Sequence, residues 1–326
     1  MNSIGKILTL TTFGESHGPA MGGVLDGMPA GVEIDLAELQ RFVNRRRPGQ
    51  NIGSSSRDEQ DKVEVLSGIW KGKSLGTPIG FIIRNNDARS ADYEEISHCY
   101  RPNHADFTWQ AKYGLRDPRG GGRASARETV ARVVAGGIAM QALRRLGVTI
   151  EAVASPVDAE TLQRAMGEGD TLGGIIECTV QGGPAGLGEP VYGKLHAQLA
   201  AAMMSIPSVH GFEYGDGFKM AAKRGSEVMD LFEKRADGTI GTRTNHSGGI
   251  QGGISNGEDI VMRIAFKPVP TLMREIPTVD QAGNPVPLHP HGRHDVCVVP
   301  RAVPIVESMA ALVILDNYLI KKTNVL

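Results

Sequence analysis

The segment RGGGRASARETVARVVAGGIAMQALRRLG, residues 119–147, joins three consecutive glycines to a long helical pattern. Ser125 stands at the N-cap and Glu128 follows three residues later, which predicts a capping box. The helix it opens carries Val130, Val133, Val134, Ile138 and Leu146. Glycines let a backbone approach a ligand closely, and a helix start offers unpaired N–H groups and a positive dipole end to an anion. The spacing is neither G-x-x-x-x-G-K-[ST] nor G-x-G-x-x-G with a later acid, so the reading is an anion site outside P-loop and dinucleotide chemistry.

Outward from this segment, strand and helix patterns mix without a βαβ rhythm. Residues 4–12 read as a β-branched strand running into the loop GESHG at 14–18, which places His17 on a loop at a strand end. In IDLAELQRFVNRRRPGQ, Asp35 and Glu38 predict another capping box, and Pro48 with Gly49 should end the helix near Arg47. Further helices are expected at 194–206 and 304–321, and strands at TLGGIIECTVQG, DIVMRIAFKP and DVCVV. The fold class expected is α+β, a single unit over residues 1–326. The loop-like section Pro268–Gly292 is longer than structureless connections usually run, so it should be functional or mobile.

The chain has 326 residues, a net charge of −1, a pI near 6.8 and 5% aromatics. That balance gives no field to draw in a polyanion and few platforms for bases, which argues against nucleic acid as a partner. No membrane partner is expected either: the apolar run MAALVIL at 309–315 is too short to span a bilayer, the N-terminus has no signal-like pattern, and the location expected is cytoplasmic. Cys99, Cys178 and Cys297 lack disulfide or metal spacing and should be buried thiols.

Arginine is concentrated at Arg45, Arg46, Arg47 and Arg57, then at Arg101, Arg116, Arg119, Arg123 and Arg127. Guanidinium groups match phosphate and carboxylate oxygens with paired hydrogen bonds, so these clusters suit a small polyanion. Consecutive residues on a helix point in different directions, so one or two of Arg45–Arg47 should face a site. His17 in GESHG, His104 in RPNHAD and His294 beside Asp295 in GRHD supply groups that titrate near neutrality. His98, His196, His210 and His246 read as structural, and no spacing supports a metal site. The residues alone indicate a cytoplasmic enzyme using histidine acid–base chemistry on a small phosphorylated or carboxylated compound.

TTFGESHG, RRRPGQ, RPNHADFTWQAKYGLRDPRGGGRASARET, PAGLGEPVYGKL, NHSGGIQGGISNG, KPVPT and GRHDVCVVPRAVPIVE, in this order, resemble the chorismate synthase family from about residue 4 to residue 320. The resemblance implies a single-domain β-α-β sandwich, a homotetramer, and a lyase of the shikimate pathway in aromatic amino acid biosynthesis. The reaction implied is the 1,4-elimination of phosphate from 5-enolpyruvylshikimate 3-phosphate to give chorismate, with reduced FMN and no net redox change. It implies that His17 protonates the leaving phosphate and that His104 protonates the reduced flavin. Asp295 would assist proton removal through the flavin, with Ser16 and Ser125 as supporting hydroxyls. Cofactor contacts implied are Arg123, Ala124, Ser125, Pro207, Ser208, Gly252, Lys267, Pro268, Val269, Pro270, Thr271 and Arg293. Arg46, Arg47 and the position of Ile52 would contact substrate or NADP. The sequence departs from the family pattern in three places: Ile52 replaces an arginine, Ala124 a serine, and Pro207-Ser208 an Asn-Ala pair. The flavin would be reduced by NADPH or by an external flavin reductase, and the absence of an added reductase segment favours the latter.

Overall fold

The computed structural model describes residues 1–49, 59–86, 97–290 and 295–324. Two antiparallel sheets enclose a layer of helices. The first contains β1 (Ser3–Ile4), β2 (Thr9–Gly14), β3 (Ala20–Asp26), β4 (Val63–Val65) and β5 (Ile79–Arg84) in the order β1-β2-β3-β5-β4. The second contains β6 (Thr149–Ala154), β7 (Gly174–Gln181), β8 (Val209–Tyr214) and β9 (Ile260–Phe266) in the order β8-β9-β7-β6. Its strands alternate buried and outward residues, as in β9, where Ile260, Met262, Ile264 and Phe266 point to the core.

The helices are α1 (Leu36–Asn44), α2 (Asp106–Tyr113), α3 (Thr129–Arg144), α4 (Ala159–Gly167), α5 (Leu195–Met204) and α6 (Val299–Thr323). α3 packs on β2 and β3, α6 packs on β6 and β7, and the two helices pack on each other. Both are therefore buried on nearly every side, as a central layer requires. One core cluster runs through Leu10 and Phe81, Val134 and Ile138, Val306 and Met309, to Ile176 and Ile264. Each such side chain stabilises the fold by roughly 1.5–3 kcal/mol relative to exposure. α6 is long and apolar enough to cross a bilayer, but 78% of its most apolar window is buried inside the protein. The three cysteines are buried, and burial raises the Cys178 thiol far above its ordinary range.

Where α3 crosses α6, a Cβ on Gly136 would stand 2.2 Å from the Ser308 Cβ. Both elements are in the packed middle layer, so neither backbone has room to move. Gly136→Ala is expected to destabilise the protein by about 1–3 kcal/mol through overpacking. Urea denaturation checks this, and an unchanged midpoint would show that the two helices separate freely.

Several local expectations are modified. The strand expected over 4–12 is broken at residues 5–8. Gly5 has φ +97°, and the amides of Lys6, Ile7 and Leu8 turn to the Asp316 carboxylate of α6 at 3.0, 2.8 and 2.9 Å. Asp35 does cap α1, accepting from Ala37 and Glu38 at 2.8 and 3.0 Å. Its own amide is taken by Gln141 at 2.7 Å, so Glu38 turns to Arg144 instead of closing the box. Ser125 caps a single 3₁₀ turn, Ala126–Glu128, ahead of α3, and Glu128 pairs with Arg132. Leu146 lies beyond the end of α3 and is exposed.

DVCVV is not a strand. Cys297 makes one isolated bridge to Leu172, and Val299 already begins α6, with Pro300 in its first turn where no N–H is needed. The section 268–292 is not structureless over its described part: Ile276–Val279 and Pro285–Leu288 form an antiparallel hairpin tied to Tyr100 by its backbone.

Candidate active site

The three glycines ahead of α3 form the centre of the site. Gly120, Gly121 and Gly122 have φ of +62°, +83° and +54°, which an L side chain rarely adopts. A Cβ on Gly120 would lie 2.3 Å from His17 Nδ1, one on Gly121 would lie 2.9 Å from His104 Cε1, and one on Gly122 would lie 2.5 Å from Glu15 Oε2. The glycines are thus a thin backbone partition against which three functional-looking side chains pack, one per residue.

On one side, the partly buried His17 has its Nδ1 3.1 Å from the Oγ of Ser16, a fully buried residue. On the other, His104 Nδ1 lies 3.0 Å from Asp106 Oδ1. Arg101 grips Asp106 with Nε and Nη2 at 2.7 and 2.8 Å, and Arg116 adds a contact at 3.3 Å. Burial lowers the affinity of His104 for a proton; Asp106 opposes this, but the charges of Arg101 and Arg116 add to it. Asp106 is held far below the usual carboxylate range: its guanidinium partners and His104 outweigh the effect of burial.

Gly120 and His104 border a cleft of about 380 Å³. Its charged wall is supplied by Arg46 and Arg127, with Asp61 between them. Arg46 donates to Asp61 at 2.8 Å, to Thr129 Oγ1 at 3.1 Å and to the Ala126 carbonyl at 3.2 Å. Burial pushes the Arg46 guanidinium down to about 10, still charged at neutral pH. Arg127 donates to Asp61 and Asn85, while its buried Nη2 has no hydrogen-bond partner among the described residues. Glu59 Oε2 lies 3.9 Å from that nitrogen, an ion pair too long to be a hydrogen bond.

The three consecutive arginines now separate. Arg45 is held by Glu307 with two bonds at 2.7 and 3.0 Å, Arg47 donates to the Glu59 carbonyl at 2.7 Å, and Arg46 alone of the three lines the cleft. Arg119 is exposed and paired with Asp117.

Ala124, Ser125, Pro207, Ser208, Lys267, Val269, Pro270, Thr271 and Asp295 all line the cleft. Ser208 holds φ +70° and its carbonyl receives the Lys267 amide at 2.8 Å, while the Lys267 ammonium donates to Asn103 O at 2.7 Å. Asp295 is paired with Arg301, which also donates to the Arg46 carbonyl at 3.1 Å.

Of the sequence-derived catalytic residues, His17 and Ser16 do not line this cleft and reach it only through Gly120, against which the His17 ring packs; three of the cofactor contacts are also not brought to the lining. Arg123 turns to β2, donating to Thr12 Oγ1 at 2.7 Å; Pro268 packs toward Gly173; and Gly252 sits in a turn between Ile250–Gln251 and Ile254–Ser255. Ile52, Arg57, Arg293 and His294 lie outside the described residues. Asp61, Glu59, Asp106 and Arg301 were not singled out from sequence. Only Asp106 carried a signal, two residues after His104 in RPNHAD.

Among the described residues no group of His, Cys, Asp and Glu could hold a metal ion. A cleft walled by buried guanidinium groups, with two histidines at one glycine partition, defines an enzyme of acid–base chemistry on small anions.

Comparison with known proteins agrees with that class. The sequence profile of chorismate synthase matches residues 8–164 and 158–319. A chorismate synthase of Parabacteroides distasonis is 53% identical, with 99% of each chain covered, and one of Bacteroides fragilis is 52% identical, with 98% of each covered. A crystal structure of chorismate synthase superposes with a TM-score of 0.76 at 28% identity, covering 98% of this chain and 93% of the other. The chain belongs to the chorismate synthase family, carbon–oxygen lyases of the shikimate pathway.

Proposed function

We propose that this cleft carries out the 1,4-elimination of phosphate from 5-enolpyruvylshikimate 3-phosphate, giving chorismate. The observation that carries the reading is the glycine partition: His17 packs against Gly120 and His104 against Gly121, and Gly120 and His104 border the cleft that Arg46 and Arg127 line. A substrate with one phosphate and two carboxylates is complementary to the cationic lining of this cleft, which includes Arg46, Arg101, Arg127 and Lys267. Arg46 and Arg127 bind and orient that anion, and the Asp61 carboxylate between them holds their spacing.

His17 donates a proton to the departing phosphate, and Ser16 fixes its ring through the contact at Nδ1. Asp295 takes part in accepting the proton released from C6, and its ion pair with Arg301 aims the carboxylate. Reduced FMN bound in this cleft would supply transient electron density for breaking the C–O bond, leaving no net redox change. The donors that would hold it fit a phosphate-bearing group: the Lys267 ammonium, the hydroxyls of Ser125, Ser208 and Thr271, and the backbone around Ala124. Ala124 contributes no hydroxyl, and Pro207 no N–H. His104 presents its ring to the same cleft and holds or gives a proton there.

The protein is read as a single-domain cytoplasmic homotetramer whose cofactor is reduced by an external flavin reductase or by NADPH. The decisive experiment supplies reduced FMN and 5-enolpyruvylshikimate 3-phosphate anaerobically and follows chorismate absorbance together with phosphate release. Equal formation of both is expected. No product with reduced FMN present would remove the assignment.

A further inference from the structure

We propose that Asp106 is a positioning residue that holds the proton of neutral His104 on Nδ1, leaving the Nε2 lone pair for the cleft. This rests on the proposed role of His104, which it deepens.

The geometry offers His104 two choices. Its Nδ1 is 3.0 Å from Asp106 Oδ1 and also 3.0 Å from Arg101 Nη2. A carboxylate can only accept, and a guanidinium can only donate, so the two neighbours call for opposite tautomers. Arg101 already spends Nε and Nη2 on both oxygens of Asp106, and Arg116 approaches the same Oδ1. Asp106 is therefore an ionised acceptor with a 2% exposed side chain, unable to turn away. If Nδ1 carried a lone pair, that pair would face Oδ1 at hydrogen-bond distance with no proton between them. Donation from Nδ1 to Asp106 removes this repulsion and adds a charge-assisted bond.

The opposite edge of the ring then becomes the working edge. Cε1 and Nε2 lie on the Gly121 side, where a Cβ would meet Nε2 at 3.4 Å, and His104 borders the cleft. The charged groups around the ring are Asp106, Arg101 and Arg116 on its own segment; Lys267 reaches over from the opposing segment to Asn103. His104 thus takes up a proton at Nε2 and returns it there, with Nδ1–H retained throughout. This is the arrangement in which a buried carboxylate orients an imidazole without itself being protonated.

Histidine-selective ¹⁵N NMR of the intact protein tests it directly, with His104→Gln used to assign the resonance. Above its titration point His104 is expected to show a protonated Nδ1 and an unprotonated Nε2. The reverse pattern would overturn the proposal and give Nδ1 to Arg101. In Asp106→Asn, loss of the negative charge disfavours the imidazolium, so the His104 titration and the acid limb of the rate profile should move to lower pH. Turnover should fall roughly 10–100-fold, with KM little changed and partial recovery in Asp106→Glu. A purely structural role would lower the unfolding temperature and leave the tautomer and titration in place. If Asp106→Asn does not fold, the wild-type spectrum still decides. Normal turnover in His104→Gln would remove the catalytic reading while leaving the tautomer assignment to stand on its own spectrum.

Discussion

Alanine at position 17 is expected to lower turnover by roughly 10²–10⁴-fold, the usual worth of a positioned general acid. The effect should fall on kcat more than on KM, because the His17 ring packs on Gly120 and Ser16, apart from the guanidinium groups that line the cleft. Removal of a partly buried ring from a loop leaves the core cluster intact, so thermal stability should change little. His104→Ala should cost a comparable factor. Steady-state kinetics with reduced FMN checks both, and near-normal rates with intact cofactor binding would remove either histidine from the acid–base role. Gly120→Ala should mimic the first variant, since its methyl would collide with the His17 ring.

The largest stability effect is expected at Asp61. Its carboxylate is fully buried between Arg46 and Arg127, whose side chains are 3% and 4% exposed. Burial raises its affinity for a proton, but the two guanidinium charges outweigh that and leave it below the ordinary aspartate value. Asp61→Ala takes from buried Arg46 its carboxylate and leaves Arg127 only the longer 3.9 Å pair with Glu59, so it should destabilise the protein by about 3–5 kcal/mol, measured by urea or thermal denaturation. The pH dependence has a definite sign. A carboxyl whose folded value is depressed contributes stability above its unfolded value, near 3.9, and loses it as the pH falls through the folded one. Wild type and Asp61→Ala should therefore converge in stability under strongly acid conditions and differ most at neutral pH. An equal difference at both would assign the effect to packing. Inorganic phosphate should stabilise Asp61→Ala more than wild type, as an anion entering the cleft replaces the lost charge.

The sequence was most informative where one residue type enforces one geometry. The glycines at 120–122 and the N-cap at Asp35 each left a local signature and stand where it placed them, and the apolar pattern marked α3 through Ile138 but ran past its end to Leu146. The local reading failed where a distant residue intervened. Asp316 takes the amides of Lys6, Ile7 and Leu8 and breaks a strand that propensity alone would continue. Gln141 occupies the Asp35 amide and so frees Glu38. Pro300 and Pro304 both stand in α6, where the first-turn position of Pro300 converts an apparent strand into a helix start. The same contrast holds in the site. Motifs drew attention to His17 and His104, but Asp61 is a plain acid in RDEQDK whose meaning depends on two arginines brought to it by other elements. Which of Arg45, Arg46 and Arg47 faces inward was settled by Glu307, more than 250 positions away in the chain.

The bare partition at Gly120 and Gly121 acts as a ruler. Consecutive Cα atoms across a trans peptide are about 3.8 Å apart, and each of these two residues is the stop against which one imidazole rests. The offset between the two proton-bearing rings is therefore graduated by covalent backbone geometry and not by rotamers of intervening side chains. A change of backbone spacing at either glycine would therefore move one imidazole relative to the other, because the partition has no side chain that could absorb it.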